Sequence, residues 1–139
     1  MRPPDEMVIE WLRRAEDDLR LAELALGASP PVCWGAAFHA EQAAEKWLKA
    51  VLTFRGVEFE RTHDIDYLLE LCVGVEPGAE RLRGRATQLT DFAVEARYPF
   101  PRREATEAES REALEIAREV GRFVRSVLPG ELCKEADRR

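Results

Sequence analysis

The sequence has few of the residues that metal centres and disulfide frameworks require. It contains only two histidines, His39 and His63, and three cysteines, none of which form a CxxC pair. An odd number of scattered cysteines is typical of a reducing compartment, and two histidines give little material for a metal site. We therefore expect no metal, no cofactor and a cytoplasmic location.

Long apolar runs and excess positive charge are also missing. No stretch approaches the roughly 18 apolar residues of a membrane span, and the first five residues lack the apolar core of a secretion signal. The 21 Lys and Arg residues are outnumbered by 27 Asp and Glu residues, which gives a net charge of −6. Such a surface repels phosphate at long range, so we expect no membrane partner and no nonspecific DNA binding.

Apolar residues at helical spacing are abundant. The length of 139 residues suits one domain, and 45% of the residues are hydrophobic, which is enough for a core. Breakers separate five helical segments, over about residues 5–26, 32–54, from 62 to the break at 74, 79–96 and 106–127. We predict an all-α protein, an antiparallel four-helix bundle with one additional short helix. It would form a single domain over residues 1–130, with a frayed polar tail at 131–139.

The second predicted helix differs from the others in having two apolar lines. This pattern is typical of a central bundle helix or of one shared with a second subunit. A third line along the same helix is polar, with the following residues at helical spacing: His39, Gln42, Lys46, Lys49 and Thr53.

Four short motifs, in a fixed order, resemble those of a known family. Residues 14–19 read RAEDDL, 38–46 read FHAEQAAEK, 62–65 read THDI and 96–99 read ARYP. In this order the motifs resemble the HEPN domain (Higher Eukaryotes and Prokaryotes Nucleotide-binding), over roughly residues 8–128. The resemblance implies a helical bundle that forms a homodimer and pairs with a minimal nucleotidyltransferase, as in toxin–antitoxin modules. It also implies a nucleotide or RNA ligand.

Many HEPN proteins are metal-independent ribonucleases, whose signature is an arginine followed, after four to six residues, by a histidine. Here Arg61 precedes His63 by one intervening residue and Arg55 by seven, and Arg97 is followed at the required distance by RRE at 102–104. Imidazole suits proton transfer near neutral pH, whereas a guanidinium binds phosphate but is too basic to accept a proton. The sequence therefore favours a homodimeric binding and regulatory module over an enzyme. Two alternatives stay open, a metal-independent endoribonuclease with an irregular site and a nucleotide-binding protein without turnover.

Two sets of residues are candidates for these functions. The catalytic candidates for an irregular ribonuclease site are His63, Arg61, Arg55 and Arg97. The candidates for nucleotide or phosphate binding are Lys46, Lys49, Arg97, Tyr98, Arg102, Arg103 and His39.

Most of these residues also have a purely structural interpretation. His63 could cap the third helix or bond a backbone carbonyl, although Thr62 is the expected N-cap. His39 could tie two helices together by a hydrogen bond. Lys46 and Lys49 could lie on a solvated helix face, and Tyr98 could cover the end of the bundle. The tryptophans are predicted to anchor the core or an interface.

Overall fold

Six α-helices form the part of the chain that the structure, a computed structural model, describes: residues 3–97 and 105–139. They are α1 (Pro3–Gly27), α2 (Cys33–Phe54), α3 (Ile65–Val75), α4 (Arg83–Arg97), α5 (Glu107–Val127) and α6 (Gly130–Asp137). A 3-10 helix, Pro77–Leu82, leads into α4. No strand occurs within these ranges, so the prediction of an all-α fold is confirmed.

Helix α2 lies at the centre of the core, as its two apolar lines predict. It packs against α1, α3, α4 and α5. Its alanines are completely buried at several positions, which allows neighbouring helices to approach closely. At Gly121 of α5 the backbone lies directly against the indole of Trp47.

Side-chain caps determine where two helices begin. The predicted capping box of α5 is present, because Thr106 Oγ1 accepts a bond from the Glu109 amide (3.1 Å) and Glu109 Oε1 accepts one from the Thr106 amide (2.9 Å). The prediction of Thr62 as the N-cap of the third helix is wrong. Asp64 caps α3 by accepting a bond from the Tyr67 amide (3.2 Å), while Thr62 Oγ1 accepts one from the amide of Asp64 itself (3.0 Å).

The expectation of a frayed tail after residue 130 is also wrong. Helix α6 buries Leu132, Cys133 and Ala136 and packs against α1. Arg13 of α1 donates hydrogen bonds to carbonyl oxygens at the end of α6, at 3.2 Å from Ala136 and 3.0 Å from Glu135. The expectation fails because the segment, although mostly polar, carries a short apolar stripe. This stripe packs against α1 and holds the segment in place.

Among the described helices, none has both the length and the hydropathy that crossing a bilayer requires. The residues described also hold no cluster of three potential metal-ligating side chains.

Candidate functional site

The polar line of α2 meets α1 at the carboxylate of Asp18. His39 Nδ1 lies 2.9 Å from Asp18 Oδ1, and Lys46 Nζ donates a hydrogen bond to Asp18 Oδ2. His39 and Lys46 are seven residues apart, about two helical turns, so both point to the same side of α2. The interpretation of His39 as a side chain that ties two helices together is confirmed. Lys46 is ion-paired rather than freely solvated.

A second carboxylate, that of Glu45 on α2, binds the other histidine, His63. Glu45 is 1% exposed, and its Oε2 atom lies 2.9 Å from Nδ1 of His63, whose side chain is 65% exposed. The other carboxylate oxygen, Oε1, is buried and has no hydrogen-bond partner among the described residues. The structural interpretation of His63 was that it caps α3 or bonds a backbone carbonyl, and the structure shows neither contact. Instead, His63 joins the segment before α3 to the buried Glu45.

Lys49 lies one turn after Glu45 and is buried against an aromatic ring. Its ammonium is 5.3 Å from the ring centroid of Trp11, in a cation–π arrangement. Burial lowers the pKa of Lys49, the negative charge of Glu45 opposes this shift, and the positive charge of Lys46 adds to it. The Lys49 side chain thus lies against Trp11, within range of the Glu45 charge, and not on a solvated face.

The candidate arginines are distributed over separate regions. Arg55 Nη1 donates a hydrogen bond to Glu76 Oε1 at 2.8 Å, across the gap between the end of α2 and the segment after α3. Arg61 is exposed and forms no ion pair with any residue that the structure describes. The backbone of Arg97 ends α4, but its side chain lies outside the description. Tyr98, Arg102 and Arg103 lie outside the described residues altogether.

The sequence pattern alone assigns no role to Asp18 and Glu45, the two carboxylates that bind the histidines. For Glu45 the sequence does contain an indication. The apolar line formed by Trp34, Phe38, Leu48 and Leu52 passes through positions 41 and 45. Both positions are glutamates, and both are buried. A glutamate on an apolar line must be buried, and a buried carboxylate requires a partner.

A pocket elsewhere on the surface offers less chemistry. It lies between α1 and α5, has a volume of about 420 Å³ and includes neither histidine in its lining. Its charged groups are already paired, since Arg118 Nη2 lies 3.0 Å from Glu23 Oε2 across the two helices. The two histidine–carboxylate pairs that involve α2 are therefore the better candidates for a functional site.

The sequence of this helical domain matches a known class of protein. The family model for the HEPN domain matches residues 8–127 of the 139-residue chain. The chain is therefore a member of the HEPN family, as its motifs indicate, and a nucleotide- or RNA-related module in general. The searches of curated proteins and of solved structures give no match.

Proposed function

We propose that the chain is a homodimeric binding and regulatory module that binds nucleotide or RNA. Its partner would be a minimal nucleotidyltransferase, in a toxin–antitoxin-like pair. The HEPN match over most of the chain supports this proposal. The pairing of His39 with Asp18 also supports binding over turnover at this histidine, because Asp18 joins His39 and Lys46 of α2 to α1 and so gives His39 a structural role.

The observation that carries the homodimer is the exposure of large apolar side chains beside the turn between α1 and α2. Leu24 of α1 is 67% exposed and Trp34 of α2 is 53% exposed. The turn itself is closed by a hydrogen bond from the Val32 amide to the Ala25 carbonyl at 2.8 Å. Solvent-exposed aromatic and aliphatic side chains beside a hydrogen-bonded turn are typical anchors of a protein interface.

The mass in solution tests the dimer. Light scattering at micromolar concentration should give twice the chain mass for the wild type, and a monomer for Trp34→Ala combined with Leu24→Ser. Met7→Ser is the matched control, since Met7 is 56% exposed on the same helix but 17 residues from Leu24, about 25 Å away. This control should remain dimeric. A monomeric wild type would contradict the proposal.

The nucleotidyltransferase partner is tested separately. We expect a gene for a minimal nucleotidyltransferase beside the gene for this chain, and we expect the two proteins to co-elute when one of them is affinity-tagged. Separate elution at micromolar concentration would refute the pairing but leave the dimer unaffected.

A metal-independent endoribonuclease is the second candidate function, and the state of His63 favours it. Its Nδ1 atom is held by Glu45, its side chain is largely exposed, and Nε2 has no partner among the described residues. Arg61, two residues earlier, is an exposed cation that suits a phosphate. Purified protein incubated with total RNA in EDTA tests this function: equal RNA survival with wild type and His63→Ala would eliminate it. Binding of ATP or GTP without turnover would instead appear only as heat in calorimetry.

A further inference from the structure

An apolar hollow lies on the surface of α1, near the beginning of the helix. It has a volume of about 240 Å³ and is lined by Met7, Glu10, Trp11 and Arg14. These positions have the spacing i, i+3, i+4 and i+7, so they share one face of α1. Met7 is 56% exposed there, at the other end of the helix from Leu24 and the proposed dimer contact. This surface, the α1 hollow, is therefore separate from both the core and the dimer contact.

The α1 hollow combines a fixed aromatic ring with a flexible side chain. Trp11 packs partly against the core, and its ring centroid lies 6.5 Å from that of Phe59. The ammonium of Lys49 lies 5.3 Å from the same Trp11 centroid. Because neighbours hold the ring, a contact with it costs little conformational entropy. Met7 is unbranched and adapts to side chains of different shapes. The pair suits one apolar side chain from a partner.

The charges on α1 beside the hollow do not favour an anion. Arg14 is already paired, because its Nε atom lies 3.0 Å from Glu10 Oε1. Glu6, next to Met7, is exposed and forms no ion pair with a residue that the structure describes. The α1 side of the hollow therefore carries an unbalanced negative charge.

The segment that carries Phe59 adds to this negative charge. Glu58 and Glu60 flank Phe59 in the chain, and both are exposed. Within the described ranges neither side chain forms an ion pair. Arg61 is an exposed cation in the same segment, but it is one positive charge against the three unpaired carboxylates of Glu6, Glu58 and Glu60. The surroundings of the α1 hollow are acidic as a whole.

This acidic border decides which occupant the α1 hollow suits. Unpaired carboxylates repel the phosphates of a nucleic acid. A second copy of this chain, docked through the same surface, would place glutamates opposite glutamates, because a two-fold contact pairs like with like. Lysine or arginine side chains on a partner would instead complement the carboxylates. The occupant that fits both the apolar hollow and its border is a basic segment with an apolar anchor.

We propose that the α1 hollow docks a basic amphipathic helix of a protein partner. An apolar side chain of that helix lies between Met7 and Trp11, and its lysines or arginines face the carboxylates of Glu6, Glu58 and Glu60. A helix fits because the lining positions run along one face of α1, where a second helix can pack its own i, i+3 and i+4 side chains. The inference goes beyond the proposed function, since it requires neither a nucleotide nor the dimer.

A synthetic peptide tests the proposal directly. The probe is a fluorescein-labelled peptide of about 18 residues, long enough to be helical, that contains only leucine and lysine, with the leucines on one helix face. A peptide of the same composition with the leucines scrambled around the helix is its control. Fluorescence anisotropy should show micromolar binding of the first peptide and binding about tenfold weaker or more for the second, because only the first presents an apolar face. Equal affinity for the two peptides would overturn the proposal.

Substitution of the apolar anchor tests the location. Met7→Ser should weaken binding of the patterned peptide by about tenfold, the effect of removing a central apolar contact. Leu21→Ser is the matched control, since Leu21 is also an exposed apolar residue of α1, 46% exposed, but lies about 21 Å further along the helix. This control should bind like wild type. Unchanged affinity in Met7→Ser would overturn the proposal.

Substitution of the acidic border tests the charge. The combined variant Glu6→Gln, Glu58→Gln and Glu60→Gln should bind the patterned peptide more weakly at low salt and lose most of the salt dependence of binding. Asp91→Asn is the matched control, because Asp91 is an exposed carboxylate on α4. It should keep the wild-type affinity and salt dependence. Equal losses in both variants would show that net charge, and not this surface, attracts the peptide, and would overturn the proposal.

Methyl NMR locates the peptide on the wild-type protein without any destabilising variant. The sequence contains two methionines, so labelling their methyl groups with carbon-13 gives two signals, which Met7→Leu assigns. The Met7 signal should shift as the patterned peptide is added, over the concentration range of the anisotropy change. A Met7 signal that stays in place while the peptide binds would overturn the proposal, and this result would leave the dimer and the nucleotide- or RNA-binding function intact.

Discussion

At the scale of single residues, burial gives the cysteines different reactivities. Cys72 is fully buried and its Sγ lies 3.6 Å from the Leu48 carbonyl oxygen. Burial, with a smaller contribution from the charge of Glu76, raises the pKa of Cys72 to about 12. At pH 8 only about one Cys72 in ten thousand is then a thiolate, the form that reacts.

Alkylation followed by mass spectrometry should therefore distinguish the three thiols. In the native protein, maleimide should modify Cys33, which is only partly buried, and spare Cys72 and Cys133. Burial also raises the pKa of Cys133. All three should react in denaturant. Equal labelling rates for Cys33 and Cys72 in the native protein would contradict this account.

The buried ammonium of Lys49 makes a pH-dependent contribution to stability. Its pKa in the folded protein is lowered by desolvation, whereas in the unfolded chain it returns to about the ordinary 10.5. Between these two values the unfolded chain binds more protons, so stability rises with pH. Denaturant unfolding should show the wild type gaining stability relative to Lys49→Met as the pH rises from neutrality toward 10.5. A difference in stability that stays constant over this range would contradict a lowered pKa of Lys49 in the folded protein.

The candidate site was only partly predictable at this scale. Helical spacing places His39 and Lys46 on one side of α2, and the structure shows both there, on the same carboxylate. The identity of that carboxylate could not be predicted, because Asp18 is 21 residues from His39 and meets it only through the packing of α1 on α2. The His63 partner is distant in the same way, 18 residues away at Glu45.

At the scale of helices, the contact between α2 and α5 depends on one glycine. A Cβ atom at Gly121 would lie 2.8 Å from two atoms of the Trp47 indole, which is buried and cannot move freely. Gly121→Ala should therefore lower the free energy of unfolding by about 1–3 kcal/mol, the usual cost of overpacking. Thermal and urea unfolding would both measure this loss.

The control for this variant is Gly74→Ala in α3. A Cβ atom there meets nothing within 4 Å, so only helix propensity changes. The expected effect has the opposite sign, a gain of up to about 1 kcal/mol. Destabilisation of similar size in both variants would mean that the contact with Trp47 is not what requires a glycine at position 121.

Helix boundaries depended on competition that the sequence pattern does not resolve. Thr62 and Asp64 are both good N-caps, and only the structure shows that α3 begins at Ile65, whose side chain is buried. The apolar pattern predicts that the fourth helix begins at about residue 79. The chain forms a 3-10 helix there, and α4 starts at Arg83.

At the scale of the whole molecule, the C-terminal segment belongs to the folded unit. The sequence of α6 is mostly polar. The burial of its three apolar residues can be understood only from the surface of α1 against which they pack. Arg13, in turn, has the carbonyl groups of α6 as its hydrogen-bond acceptors. The segment and α1 therefore stabilise each other, which composition alone does not reveal.

Removal of α6 should consequently destabilise the entire bundle. A chain ending at residue 130 exposes the surface of α1 that α6 covers and leaves Arg13 without those acceptors, so its unfolding midpoint should fall. Within the full chain, Leu132→Ala should cost about 2 kcal/mol, since the side chain is buried, while the exposed Lys134→Ala should change stability by less than about 0.5 kcal/mol. If the shortened chain and Leu132→Ala both unfold at the wild-type midpoint, α6 contributes nothing to the stability of the fold.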